Sequence, residues 1–123
     1  MIRPGDEAVV HRAFTARDVA DYLSLGGAPL PAGEVPEPLV GALFSYLLGV
    51  KLPGPGTNYL KQQTRFLRPV PLDGELTARV VVTRIREDKH LVDLETTCQG
   101  PDGALLAQGR ALVYVEDVAD KGW

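Results

Sequence analysis

One cysteine, two histidines and a single tryptophan in 123 residues remove several kinds of chemistry before any motif is sought. With Cys98 alone, an intramolecular disulfide and a cysteine-based zinc site are both excluded, and no metal is expected. A buried thiol in a reducing compartment, the cytoplasm, is the plain reading. Charge of one sign is not concentrated anywhere. Lys and Arg number 13 against 16 Asp and Glu, a net charge of -3, and the basic residues are scattered. No nucleic-acid footprint results, although one or two basic residues could still meet a phosphate-bearing small ligand. Long apolar runs are lacking too: the longest, Leu39 to Val50, falls well short of the roughly 20 residues that cross a membrane. The opening MIRPGDEAVV has no basic stretch followed by an apolar one, so no secretion leader is expected.

What is present is enough for a core. Hydrophobic residues make up 45% and charged residues 24%, a globular composition, and the length suits one domain over residues 1–123. Asp6 to Phe14 reads as a strand. Thr15 then offers a hydroxyl N-cap with Asp18 as its capping-box carboxylate, which starts a short helix running to about Leu25. Gly26 to Pro36 is so rich in Gly and Pro that a loop is forced. Pro38 sits where a first-turn proline is tolerated, and Leu39 to Gly49 run apolar on every face, so an enclosed helix is expected. Lys51 to Gly56 ends it.

Four strands should follow, at 57–69, 75–86, 90–99 and 104–116, divided by turn signals at Leu72-Asp-Gly74, Glu87-Asp-Lys89 and Pro101-Asp-Gly103. Their spacing reads as an antiparallel meander. Val92, Leu94, Thr96 and Cys98 alternate with Asp93, Glu95, Thr97 and Gln99, and Leu105, Ala107, Gly109, Ala111, Val113 and Val115 form a second such face. A wholly apolar helix with about five antiparallel strands has a simple α+β solution in which the sheet curls around the helix.

Specific residues sharpen this. Leu43-Phe-Ser45-Tyr-Leu-Leu-Gly49, Lys51-Leu-Pro-Gly-Pro-Gly-Thr57, Tyr59-Leu-Lys-Gln62, Phe66-Leu-Arg-Pro-Val70 and Asp73-Gly74 together resemble the central signature of the MaoC-like (R)-specific enoyl-CoA hydratases. Phe14 to Tyr22 is similar to that family's N-terminal helix entry. The resemblance implies a hot-dog fold, a dimer with its sheets side by side, acyl-thioester sites between subunits and no bound cofactor. It also implies a place in fatty acid metabolism, as a lyase acting on acyl-CoA. In that family an Asp and a His in a Gly-Asp-x-Asn-Pro-x-His segment activate the water that adds to the enoyl bond. The matching stretch here reads Gly26-Gly27-Ala28-Pro29-Leu30-Pro31, with Gly27 at or beside the Asp position and Pro31 at the His position. Hydration needs one group to take a proton from water and one to deliver a proton to the α-carbon, and glycine and proline do neither.

The resemblance therefore leaves catalysis lost or altered. Ser45 matches a helix serine of the family's active-site hydrogen-bond network, or simply returns its hydroxyl to a carbonyl one turn back. Glu37 falls where the family places a glycine whose backbone N–H polarises the thioester carbonyl. It is a candidate replacement base, or a carboxylate that only favours the helix dipole. Pro38, Gly54, Gly56, Gln62 and Arg65 are the implied substrate-binding positions. Arg65 or Arg68 would meet coenzyme A or phosphopantetheine phosphates if they are not solvated strand charges. The Leu52 to Gly56 loop on its own is a shape-determining turn. Asp18 and Asp21 cap and solvate the first helix, while His11 and His90 lie outside any spacing that replaces the lost histidine. Leu112 and Tyr114 are either a subunit contact or isolated exposed apolar groups.

Three functions stay open. They are a hydratase or dehydratase with replaced groups, a non-catalytic acyl-binding subunit paired with an active hot-dog partner, and a hot-dog thioesterase. The last is disfavoured unless Glu37 projects into the pocket, because Leu39 to Val50 contains no carboxylate to direct water.

Overall fold

A computed structural model describes residues 2–115. Strand β1 (Glu7–Arg12) leads to helix α1 (Ala16–Ser24), and a loop then precedes helix α2 (Glu37–Tyr46). Strands β2 (Thr57–Phe66), β3 (Leu76–Arg86), β4 (Leu91–Gln99) and β5 (Leu105–Val115) follow. Each expected element exists, with strand ends that match or are trimmed by up to three residues; α2 begins two residues before the expected Leu39 and ends three before Gly49, and Glu116, expected to close the last strand, lies outside the described residues.

Helix α1 begins as its capping residues require. The Asp18 N–H donates to Thr15 Oγ1 at 3.3 Å, and the Thr15 N–H donates to Asp18 Oδ2 at 2.7 Å. Helix α2 carries Pro38 in its first turn, where the missing donor costs nothing. After Tyr46 the chain widens into a π-helical turn over Leu47–Lys51, stopped by Leu52, whose N–H reaches Leu47 O at 2.8 Å. Gly54 and Gly56 both have φ +89, a left-handed conformation that glycine adopts without strain, so this loop needs those two glycines for its shape.

The five strands form one antiparallel sheet in the order β1-β3-β4-β5-β2. The expected meander holds for β3, β4 and β5 but not for β2, which crosses to the far edge and pairs with β5. The segment after β2 is no hairpin turn. Leu67 N–H still bonds Leu106 O at 2.8 Å, while Asp73 N–H has already reached Phe14 O, also at 2.8 Å, so the chain travels across the sheet between them.

Alternation in β4 is as expected, with Val92, Leu94, Thr96 and Cys98 all buried. On β5, Ala107, Ala111, Val113 and Val115 are buried, and a bulge opposite Cys98 and Gln99 adds Leu106. Against this face α2 and its π turn bury Val40, Leu43, Phe44, Leu47 and Leu48. Each such side chain contributes about 1.5–3 kcal/mol as an upper figure. The helix is not enclosed all round within residues 2–115, however. Tyr46 is 43% and Val50 53% exposed, and Ser45 is exposed beside them. One sheet covers only one side of a rod, and hydrophobicity alone does not reveal how many sides are covered.

Candidate functional site

The loop between the helices is held by strand-like contacts at its far end. Glu34 bridges Pro71, the Val35 N–H donates to Val70 O at 2.7 Å, and the Leu72 N–H donates to Gly33 O at 3.1 Å. These bonds bring the start of α2 against the segment that leaves β2. Between them lies a cavity of about 260 Å³ whose walls include Glu34, Glu37, Pro38, Phe66, Arg68 and Tyr22. At the head of α2 Pro38 has no N–H and the Leu39 N–H donates to Pro36 O at 3.0 Å, so the Glu37 N–H, at the positive dipole end, is the donor that suits this cavity to a carbonyl oxygen or an anion. Arg68 adds a cation, while Glu34 and Glu37 add two carboxylates.

A second cavity, of about 510 Å³, lies between α1, α2 and β1. Val10, Phe14, Leu25, Leu39, Ala42 and Leu43 make it largely apolar, with Arg12, Asp18 and Asp21 also in its walls. Arg12 is occupied there, standing 4.7 Å over the Phe14 ring and 3.3 Å from Asp18. The backbone N–H of Thr15 holds the Asp18 carboxyl below its ordinary value, with Arg12 assisting. Tyr22 belongs to both cavities.

Of the residues singled out from sequence, Glu37, Pro38 and Arg68 are brought together. Ser45 points away from the core on the exposed side of α2 and lies outside both cavities. Gly54 and Gly56 sit past the opposite end of the helix. Arg65 pairs opposite Gln108 and lies, with Gln63, Glu95 and Arg110, in a separate depression on the sheet face turned away from the helix.

Gln62 faces the helix side. Its Nε2 donates to Thr64 Oγ1 at 2.6 Å and to buried Thr96 Oγ1 at 3.5 Å, and its Oε1 accepts from the Tyr59 hydroxyl. Burial pushes the Tyr59 phenol up to about 12, so that hydroxyl keeps its proton.

Neither histidine reaches the first cavity. His11 Nδ1 lies 3.1 Å from Thr77 Oγ1 and 3.6 Å from Glu75, on β1. His90 stacks on Tyr114, ring centroids 5.5 Å apart, with Nδ1 3.1 Å from Val115 O. That stacking accounts for Tyr114, while Leu112 is half-buried opposite Asp93. Among the described residues no group of three or more His, Cys, Asp or Glu is gathered as a metal would require, and no helix is long and apolar enough to cross a membrane.

Sequence reasoning missed Tyr22 and Glu34. For Tyr22 one signal existed, the Gly26-Gly27 pair directly after its helix. A Cβ on Gly27 would stand 2.1 Å from the Tyr22 ring, so the ring rests flat on that glycine.

No family model matches the chain. A curated relative, the (R)-specific enoyl-CoA hydratase of Aeromonas caviae, is 47% identical over 123 aligned residues, covering 89% of this chain and 92% of the relative. A solved (R)-hydratase from A. caviae superposes with a TM-score of 0.88, at 34% identity, over 93% of this chain and 97% of that one. An R-hydratase of Pseudomonas aeruginosa superposes with a TM-score of 0.85, at 26% identity, over 93% and 82%.

Proposed function

Because this chain belongs to the MaoC-like (R)-specific enoyl-CoA hydratase family and has its hot-dog fold, we propose that it binds acyl thioesters at the head of α2 without hydrating them by the family's Asp/His route. The observation that carries the reading is the make-up of that cavity: Glu34, Glu37 and Arg68 line it, and both histidines are engaged elsewhere. The thioester carbonyl accepts from the Glu37 N–H at the head of α2, with the Arg68 guanidinium in the same cavity as a second donor. No cofactor takes part.

In this reading the protein is a cytoplasmic dimer of fatty acid metabolism, paired with its own kind or with a catalytically complete hot-dog subunit. Support for pairing comes from β2, an edge strand with most of its residues exposed and one row of backbone groups unpaired within the sheet.

The test uses purified protein with crotonyl-CoA, following enoyl absorbance alongside thiol release, with butyryl-CoA binding measured by calorimetry. Binding without turnover in either assay is expected. Sustained hydration overturns the reading. A specific observation keeps a second reading in place, since two carboxylates share the cavity, one able to take water's proton and the other, if protonated, to deliver one to the α-carbon. Hydration abolished by Glu37→Ala would establish that alternative, while thiol release would establish a thioesterase.

A further inference from the structure

The polar and apolar cavities meet at one side chain, Tyr22, which belongs to the walls of both. They are also joined along α2, where Pro38 belongs to the first and Leu39 to the second. We infer that Tyr22 is a partition that sets acyl-chain length: a thioester whose carbonyl lies at the head of α2 passes its tail beyond Tyr22 to reach the apolar cavity. This rests on the thioester-binding reading above and goes beyond it, naming the residue that selects among acyl ligands and the space that receives the longer tails.

Three observations support it. The second cavity, at about 510 Å³, is nearly twice the first, at about 260 Å³, and although Arg12, Asp18, Asp21 and Tyr46 also border it, Val10, Phe14, Leu39 and Leu43 give it an apolar wall for an alkyl chain. Such a surface is costly to leave wet and favours an apolar occupant. An alkyl tail attached to a head already seated next door reaches it without a second binding event.

The partition is also held in place. The Gly27 N–H donates to Tyr22 O at 3.1 Å, and the ring lies so close to the glycine that any side chain there would drive it aside. Gly27 does not itself occupy the left-handed region, so alanine is conformationally acceptable there and the space taken by the ring is what demands glycine. The ring position is therefore adjustable from two independent residues.

The experiment measures dissociation constants of butyryl-CoA and dodecanoyl-CoA by calorimetry for the wild type and for Tyr22→Ala, Gly27→Ala and Tyr22→Ala/Ala42→Trp, each checked for folding by circular dichroism. Tyr22→Ala removes the ring and Gly27→Ala displaces it. Each is expected to tighten dodecanoyl-CoA by about tenfold or more relative to butyryl-CoA, as several methylenes gain burial. Ala42→Trp fills the second cavity from α2 and should cancel that gain. If butyryl-CoA binds and neither Tyr22→Ala nor Gly27→Ala changes the chain-length ratio, the partition is overturned while the thioester site stands. A gain that survives Ala42→Trp overturns the apolar cavity as the tail's destination. If no acyl-CoA binds any form, the thioester reading falls and takes the partition with it. Should Tyr22→Ala fail to fold, Gly27→Ala alone decides.

Discussion

Replacing Gly109 with alanine should detach the edge strand that leads to the candidate site. Gly109 lies on β5 opposite Thr64 of β2, and a Cβ built on it would stand 1.8 Å from the Gln63 carbonyl oxygen, 2.8 Å from its carbon and 2.9 Å from Thr64 Cα. Real Cβ atoms essentially never come within 3.0 Å of such atoms, and here the obstacle is backbone rather than the end of a side chain. Strand β2 must therefore retreat by over an ångström or break its ladder locally. Overpacking of this kind costs about 1–3 kcal/mol, and in urea about 2 kcal/mol lowers the midpoint by about 1 M.

Because β2 is paired on one side only, the damage should appear first there. Amides of residues 57–66 should exchange faster while those of β3 and β4 stay protected. Phe66 and Arg68 then lose their fixed position beside α2, so butyryl-CoA affinity should fall as well. The same chemical change at Gly41 is the control. That glycine lies within α2 with nothing within 4 Å of its would-be Cβ, so Gly41→Ala should be neutral or stabilising by up to about 1 kcal/mol. A Gly109→Ala midpoint equal to the wild type's would refute the reasoning.

Three further outcomes follow from the same geometry. Phe44 is fully buried between α2 and the sheet, and Phe44→Ala should cost about 3–5 kcal/mol in a denaturation experiment, with a value below 1 arguing that the helix does not pack there. Thr15→Ala removes half of the α1 capping box and should cost about 1 kcal/mol. The Asp18 partner of that box has its folded value depressed below the ordinary 3.8, so its contribution is complete above 3.8 and disappears as pH falls through the lowered value. A helical signal from α1 that is indifferent to pH in that window would contradict it. The Cys98 thiol is buried and pushed up to about 11, so at neutral pH it should react with a disulfide reagent only in denaturant, and rapid labelling of the native protein would show the core to be open.

The parts of the fold that sequence conveyed are those governed by local rules. Thr15 and Asp18 announce a helix start because both partners lie within one turn, and β4 announces itself because Val92, Leu94, Thr96 and Cys98 keep a strict two-residue period. Strand order was not legible beyond β3–β4–β5, since the placement of β2 beside β5 is decided by contacts far apart in the chain, and the Leu72-Asp-Gly74 turn signal was read as joining neighbouring strands that do not pair. The apolar run of α2 was read as enclosure on every side, yet uniform hydrophobicity carries no information about which side a sheet covers. At the site, Glu37 and Pro38 were visible as a helix start. Their meeting with Arg68 depends on the Val35 to Val70 bond, which has no local sequence pattern, and the packing of Tyr22 on Gly27 was signalled only by the Gly26-Gly27 pair after its helix.

The relation between Gly27 and Tyr22 also bears on whether the family's Asp/His pair could be introduced by point substitution. A framework of five strands and α2 tolerates a rebuilt loop because the core contacts of Phe44, Leu47 and Leu48 do not involve residues 26–34. The loop has used that freedom, tying its end to residues 70–72 and closing its start around an aromatic ring. An aspartate at 27 would begin with a Cβ 2.1 Å from that ring, so its carboxylate could enter the cavity only by expelling Tyr22. Gly27→Asp combined with Pro31→His should therefore gain no hydration of crotonyl-CoA and should change the chain-length preference instead, because the partition moves. Hydration gained by that double variant over the wild type would mean that the ring yields freely and that the path of the loop does not bar the pair.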